Sequence, residues 1–224
     1  MPELPDVEIL KQYWDATSLH KEVKDVRVND SLILEDMDEE GMKDALLENE
    51  FDSTRRHGKH LFVEIDSSRW LGVHFGMTGN LKAFKGEDNP PEYTQVLFDF
   101  VDGYHLAYVM PRKLGKMRLI DDPDSFIDEK GMGPDVLSEG FDFQTFCQVL
   151  SNRRGMIKST LMNQEVMAGI GNVYSDEILY QARVHPKEKV NDLDEKRLQR
   201  IFEDMKNVLQ VAIDHRAKPD QFPD

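Results

Sequence analysis

The chain is short of four things, and each shortage argues against a class of protein. It has a single cysteine, Cys147, in 224 residues, which excludes an internal disulfide and a cysteine-rich zinc site. It has no apolar run approaching the roughly 18–20 residues that a membrane-spanning helix needs. The opening Met-Pro-Glu-Leu-Pro-Asp carries neither the basic start nor the apolar stretch of a secretory signal. It is also short of positive charge: 28 Lys and Arg stand against 43 Asp and Glu, a formal net charge of −15. Taken whole, that charge opposes a nucleic-acid partner. With 39% hydrophobic residues, the composition describes a soluble, cytoplasmic, acidic globular protein of one large domain or two small ones.

The charge is unevenly spread. Residues 151–224 hold 12 basic and 12 acidic side chains, whereas residues 1–150 hold 16 and 31. Nine carboxylates and only Lys43 lie between Glu35 and Asp52. Between the acidic clumps stand small basic islands: Arg55, Arg56 and Lys59; Arg112, Lys113, Lys116 and Arg118; Arg153, Arg154 and Lys158. Such islands are ordinary on a solvated surface. Gathered on one face they would also bind phosphate.

The hydrophobic period divides the chain. Pro5 suits the first turn of a helix, with Asp6 and Glu8 favourable to its dipole. Val7, Leu10 and Trp14 then share a helical face. From Val26 the period is two, through Leu61, Val63 and Ile65; Leu71, Val73 and Phe75; Val96, Phe98 and Phe100. Asp102-Gly103 signals a hairpin into Leu106, Tyr108 and Met110. These predict an antiparallel β unit behind one helix. Asp121 to Leu137, acidic and broken by Pro123, Gly131, Gly133 and Pro134, reads as a linker. Beyond it the period is helical, in a short stripe of Phe143, Phe146 and Leu150. A longer one runs through Leu198, Ile201, Met205, Val208 and Ala212. No internal repeat is present, and the tail His215–Asp224 is polar.

Three segments carry chemistry. Removal of Met1 would leave Pro2 with a secondary amine, and an unperturbed α-amino group titrates near about 7.7–8.0, so a minority is nucleophilic at neutral pH. Its attack on an aldehyde-like carbon gives an iminium with no N–H proton to lose, a strong electron sink for β-elimination. Glu3 beside it is a ready acid or base. Proline is also simply a common second residue. His74-Phe75-Gly76-Met77-Thr78-Gly79 ends an apolar strand. Its glycines permit close backbone approach, with Met77 either at a loop tip or in the core. Gly169-Ile170-Gly171-Asn172-Val173-Tyr174 precedes a helix with Asp176 and Glu177 in its expected first turn. It offers free N–H groups to a phosphate, or forms a tight interhelical turn.

Together these segments, MPELPDVE, HFGMTG and GIGNVYSDEILYQARVHP, resemble those of the formamidopyrimidine-DNA glycosylase family, base-excision repair enzymes for oxidised purines. RRHGKHLF at 55–62, PRKLG at 111–115, MGPDVL at 132–137 and KSTLMNQ at 158–164 fall in the family's order and spacing. The resemblance implies an α+β chain. Residues 1–120 would form an N-terminal antiparallel β-sandwich domain with an N-terminal helix. Residues 121–137 would be a linker, and 138–224 a helix–two-turn–helix domain. It implies excision of oxidised purines (8-oxoguanine, formamidopyrimidines) from double-stranded DNA and cleavage of the abasic site, by a monomer without cofactor or metal. PELP, rather than the PEGP of the endonuclease VIII branch, points to purines. Pro2 would be the nucleophile, and Glu3 the acid that opens the sugar ring and shuttles protons. Lys59 would bind the phosphate beside the lesion. Asp6 takes the place of the family's second acidic residue. Asn172 matches a phosphate-contacting asparagine, and Lys158 the lysine before the helix–two-turn–helix. Met77, Arg112 and Leu114 match the trio that fills the void left by a flipped nucleotide. Leu114 stands where the family has phenylalanine, which implies weaker stacking.

Two departures stand against this. The family continues into a zinc finger or its hairpin imitation, whereas AKPDQFPD here reads as the run-in to one, and its loss would cost phosphate contacts. The net charge is more acidic than the family's. An alternative expectation is therefore a catalytically weak or inactive DNA-binding or lesion-sensing remnant. A third is an acidic interaction protein with no DNA role.

Overall fold

The structure, a computed structural model, describes residues 1–66, 68–86 and 89–216. The chain packs as two compact units. One comprises Met1–Pro2 and Val7–Ile127, the other Glu3–Asp6 and the chain from Asp128 onward.

In the first unit, helix α1 (Leu4–Ser18) precedes eight strands among the described residues. The strands are β1 (Val23–Val28), β2 (Thr54–His57), β3 (His60–Asp66), β4 (Arg69–His74), β5 (Asn80–Lys85), β6 (Thr94–Phe100), β7 (Tyr104–Val109) and β8 (Lys116–Ile120). Helix α2 (Glu39–Leu46) lies between β1 and β2. Two four-stranded antiparallel sheets result, ordered β1-β6-β7-β5 and β2-β3-β4-β8. The alternation predicted from sequence sets the register. Leu61 pairs with Val73, Val63 with Leu71, Val26 with Phe98 and Phe98 with Leu106. These side chains share one buried core with Val7 and Trp14 of α1. Trp14 stands edge-on to Phe51 and Phe98, at centroid distances of 5.2 and 5.6 Å. The expected turn at Asp102-Gly103 is a three-residue connection with Gly103 at φ 80, the left-handed position of a bulged hairpin.

Two segments differ from the sequence reading. The acidic run 35–52 contains α2, whose Met42, Ala45 and Leu46 are buried. Its acids are helix-favouring: Asp38 caps through the Gly41 N–H at 2.8 Å, and Glu39 and Glu40 occupy the first turn. The expected linker 121–137 holds helix α3 (Pro123–Glu129), with Phe126 and Ile127 buried. Phe126 lies edge-on to Phe62 at 5.7 Å and beneath the Arg118 guanidinium at 5.0 Å. Proline at the first helical position starts α3 instead of breaking the chain there.

The second unit holds α4 (Phe143–Leu150), α5 (Ile157–Leu161), α6 (Asn172–Gln181) and α7 (Glu195–Asp214). Phe146, Leu150, Ile201, Met205, Val208 and Ala212 form its core with Leu4. Asp194 caps α7 through the Arg197 N–H at 2.8 Å. The architecture is α+β. No helix among the described residues is long and apolar enough to cross a membrane. The tail expected as a run-in, residues 217–224, lies outside the described residues.

Candidate active site

The N-terminal motif and the glycine motif, 168 residues apart, meet in the helical unit. Glu3 is 3% exposed, and its carboxylate accepts the N–H groups of Gly171 at 2.6 Å, Val173 at 2.8 Å and Tyr174 at 3.3 Å. These are orphan donors at the start of α6, whose N-cap, Gly171, has no side chain to satisfy them. Glu3 supplies the missing cap, with charge-assisted bonds at the positive end of the helix dipole. Gly171 must be glycine because a Cβ there would fall on the Glu3 carboxylate. Gly169, at φ 121, clears Leu4 in the same way, and its carbonyl accepts the Leu4 N–H at 3.0 Å. So the helix N-terminus expected to offer free N–H groups to a phosphate gives three of them to Glu3. The helix also begins earlier than expected, at Asn172, which puts Asp176 and Glu177 beyond its first turn.

Asp6 completes the anchor. Its Oδ2 accepts the Glu3 N–H at 2.8 Å, the backward half of a capping box for α1. Burial raises the Asp6 carboxyl above the usual range, against the lowering effects of that N–H and the terminal ammonium. Burial, with the nearby charges of Asp6 and Glu3, pushes the Tyr174 phenol up. Pro2, half-buried, is joined to Glu3 by one peptide bond, so the same anchor fixes the Pro2 carbonyl side. Asn172 is exposed at the first position of α6. Lys158 is tied to Asp176 at 2.6 Å.

The β unit gathers the other residues singled out. Lys59 is 6% exposed at the second position of the two-residue β2–β3 loop, after Gly58 at φ 55. Met77 is 42% exposed at the tip of the β4–β5 turn, so the loop-tip reading of this methionine holds and the core reading does not. Gly76, at φ 56, and the adjoining backbone allow that turn to lie on the Leu114–Gly115 segment. A Cβ on Gly76 would stand 2.5 Å from the Leu114 carbonyl carbon. Leu114 is 51% exposed, and Arg112 is exposed with no ion pair or hydrogen bond among the described residues. Met77, Leu114 and Arg112 therefore project from two loops that touch through backbone.

At least five of the ten basic-island side chains, Lys158 among them, are paired with carboxylates. Arg55 pairs with Asp124, Arg56 with Glu8 at 2.8 Å, Lys113 with Asp30 at 2.7 Å and Arg118 with Glu35. Arg112, Arg153 and Arg154 are exposed and have no such partners among the described residues. Among the described residues no cluster of three or more His, Cys, Asp and Glu is placed to hold a metal. Sequence reasoning missed the Tyr174 N–H and the role of Gly169 and Gly171 as a seat for the N-terminus. The pair of glycines was the signal, but nothing local names what approaches them.

Known proteins share both units. The family model described as the formamidopyrimidine-DNA glycosylase N-terminal domain matches residues 1–117, and that of the formamidopyrimidine-DNA glycosylase H2TH domain matches 132–222. A formamidopyrimidine-DNA glycosylase of Herpetosiphon aurantiacus is 31% identical over 97% of this chain and 80% of its own length. One of Arabidopsis thaliana is 30% identical over 100% of this chain, which spans 61% of that relative. Among solved structures, wild-type Lactococcus lactis Fpg (MutM) in complex with a DNA containing N7-benzyl-Fapy-dG is 27% identical. It superposes with a TM-score of 0.89, over 95% of this chain and 79% of that one.

Proposed function

This chain belongs to the formamidopyrimidine-DNA glycosylase family, and from that premise we propose that it excises oxidised purines (8-oxoguanine and formamidopyrimidines) from duplex DNA and then cleaves the abasic strand through a Schiff base on Pro2. The observation that carries this reading is the anchoring of Glu3. A carboxylate 3% exposed and bound by three backbone N–H groups has its position fixed beside the candidate nucleophile. Such preorganisation is worth more to a proton-transfer group than to a surface acid.

The chemistry needs the free amine. With Met1 attached, the Pro2 nitrogen is a tertiary amide whose lone pair is delocalised; once Met1 is removed it is a secondary amine. That lone pair bonds to C1′ of the damaged nucleotide as the bond from C1′ to the base breaks and the base leaves with a proton. The Glu3 carboxylate takes the proton that the Pro2 nitrogen sheds on bonding to C1′ and passes it to the ring oxygen as the sugar opens, leaving an iminium, while solvent supplies the proton that the base takes. Loss of a C2′ proton expels the 3′ phosphate, a second elimination expels the 5′ phosphate, and water hydrolyses the iminium to free Pro2. The target nucleotide must leave the stack for a few kcal/mol. Met77, Arg112 and Leu114 supply the wedge that fills the gap, while Lys59 and Asn172 hold phosphates. Lys158, paired with Asp176, contributes to phosphate binding by exchanging that partner.

Borohydride trapping tests this on two duplexes, one with 8-oxoguanine and one with an abasic site, after mass spectrometry of the N-terminus. Covalent adducts on both, absent in Pro2→Gly, are expected. An adduct on the abasic duplex alone would remove the purine assignment. No adduct on either, with Met1 absent, would overturn the lyase.

A further inference from the structure

The turn that presents Met77 is tied to the imidazole that precedes it. Gly76 is buried, with its backbone against Leu114–Gly115, and its N–H donates to Nδ1 of His74 at 3.2 Å. A ring nitrogen accepts a hydrogen bond only when it carries no proton, so this bond selects the neutral tautomer with its hydrogen on Nε2. The His74 carbonyl accepts the Tyr108 hydroxyl at 2.9 Å, which fixes the backbone at the same residue. The ladder places His74 opposite His60 on β3 and Lys116 on β8.

The groups around the ring favour its neutral form. Burial lowers the His74 pKa from the ordinary value of 6.5, and the Lys59 cation lowers it further, with Glu35 opposing both. The His60 ring lies 5.0 Å away, centroid to centroid. Lys116 directs its ammonium to the Leu32 carbonyl at 2.7 Å. The Tyr108 phenol is held far up by burial and stays uncharged.

We propose that His74 is a positioning residue for DNA engagement: as a neutral acceptor it sets the Gly76–Gly79 turn so that Met77 projects, and its protonation releases that turn. The inference rests on the reading that Met77 enters the duplex. The sign follows from the direction of the shift. Above the ordinary imidazole range the bond to Gly76 is intact. Below it, as pH falls through the lowered value, Nδ1 becomes a donor and the Gly76 N–H loses its partner.

The test separates this wedge from the chemistry. Binding is read by fluorescence of a 2-aminopurine opposite a stable tetrahydrofuran abasic analogue, from about pH 5 to about pH 8. The wild type is compared with His74→Asn, whose amide oxygen can accept the Gly76 N–H but takes no proton, and with His74→Leu. His74→Leu is expected to bind about tenfold more weakly at neutral pH. Its trapping on a single-stranded abasic oligonucleotide, which needs no wedge, should change by less than about twofold. His74→Asn should recover most of the affinity and should not weaken on acidification as the wild type does. Wild-type binding by His74→Leu, or an acid loss in His74→Asn equal to that of the wild type, would overturn the proposal. Should His74→Leu fail to fold, the acid limb of His74→Asn decides. Trapping by the wild type reports on the Pro2 chemistry, and fluorescence on the wedge, so one can fail without the other.

Discussion

Two pairs of glycines bracket the two loops that carry the candidate function, and they clear space for different things. Gly76 and Gly79, in the β unit, make room mainly for backbone: the Leu114–Gly115 segment against the first, the Phe75 carbonyl against the second. The outcome is a rigid turn with an apolar side chain at its tip. Gly169 and Gly171, in the helical unit, make room for side chains from the other end of the sequence, Leu4 and Glu3. The outcome is a helix start that holds a carboxylate. A missing Cβ records that something comes close. Whether that is a peptide plane or a functional group is a separate fact, and the two cases respond differently to substitution.

The largest effect is expected from Gly171→Ala, whose Cβ would meet the Glu3 carboxylate. Stability should fall by about 3 kcal/mol in urea unfolding, with a loss of trapping of about a hundredfold or more. A double-mutant cycle sharpens the comparison. In a Glu3→Ala background the obstructing carboxylate is gone, so the stability cost of Gly171→Ala should shrink by more than half. A cost unchanged by Glu3→Ala would break the comparison, because it would mean that backbone, not a side chain, fills the space.

Gly76→Ala should cost about 2 kcal/mol, since it combines a left-handed backbone with a Cβ against the Leu114 peptide. No side-chain truncation nearby should rescue it. Glu3→Gln should lower stability by about 1–2 kcal/mol in thermal denaturation, because an amide offers one neutral acceptor oxygen where the carboxylate uses two for three N–H groups, and its NH2 would face a donor. The smallest stability change belongs to Met77→Ala, less than about 0.5 kcal/mol for a side chain 42% exposed. Its binding to the abasic-analogue duplex should nevertheless weaken by about tenfold. A methionine whose loss destabilised the fold but left binding intact would be a core residue after all.

Much of the β unit was legible because strand alternation is local: Leu61, Val63 and Ile65 lie on one face of any strand that contains them. The stripe from Leu198 to Ala212 was legible on α7 for the same reason. Helix α2 was not, because its three buried residues lie within a run of nine carboxylates from Glu35 to Asp52, and the capping by Asp38 shows only once the helix exists. Within the expected linker 121–137 the helix and the burial of Phe126 were not legible, since nothing near it in sequence indicates that Phe62 and Arg118 will cover it. The basic islands left phosphate binding open beside an ordinary solvated surface, because charge was visible and partners were not. Asp124, Glu8, Asp30 and Glu35 neutralise them from 48 to 83 residues away.

The sequence by itself determined which faces of the strands and of α7 are apolar, and where the hydrophobic period changes from two to helical. Those properties reside in side-chain type and period, which a strand or helix reads out within a few residues. Only the tertiary structure decided that Glu3 serves as the cap of α6, that Met77 points outward, and that the imidazole before it holds the turn. Each of these depends on which distant group fills a space or meets an unpaired N–H. That choice is made when chain closure brings the two together, by excluded volume and by the cost of leaving a buried donor without an acceptor.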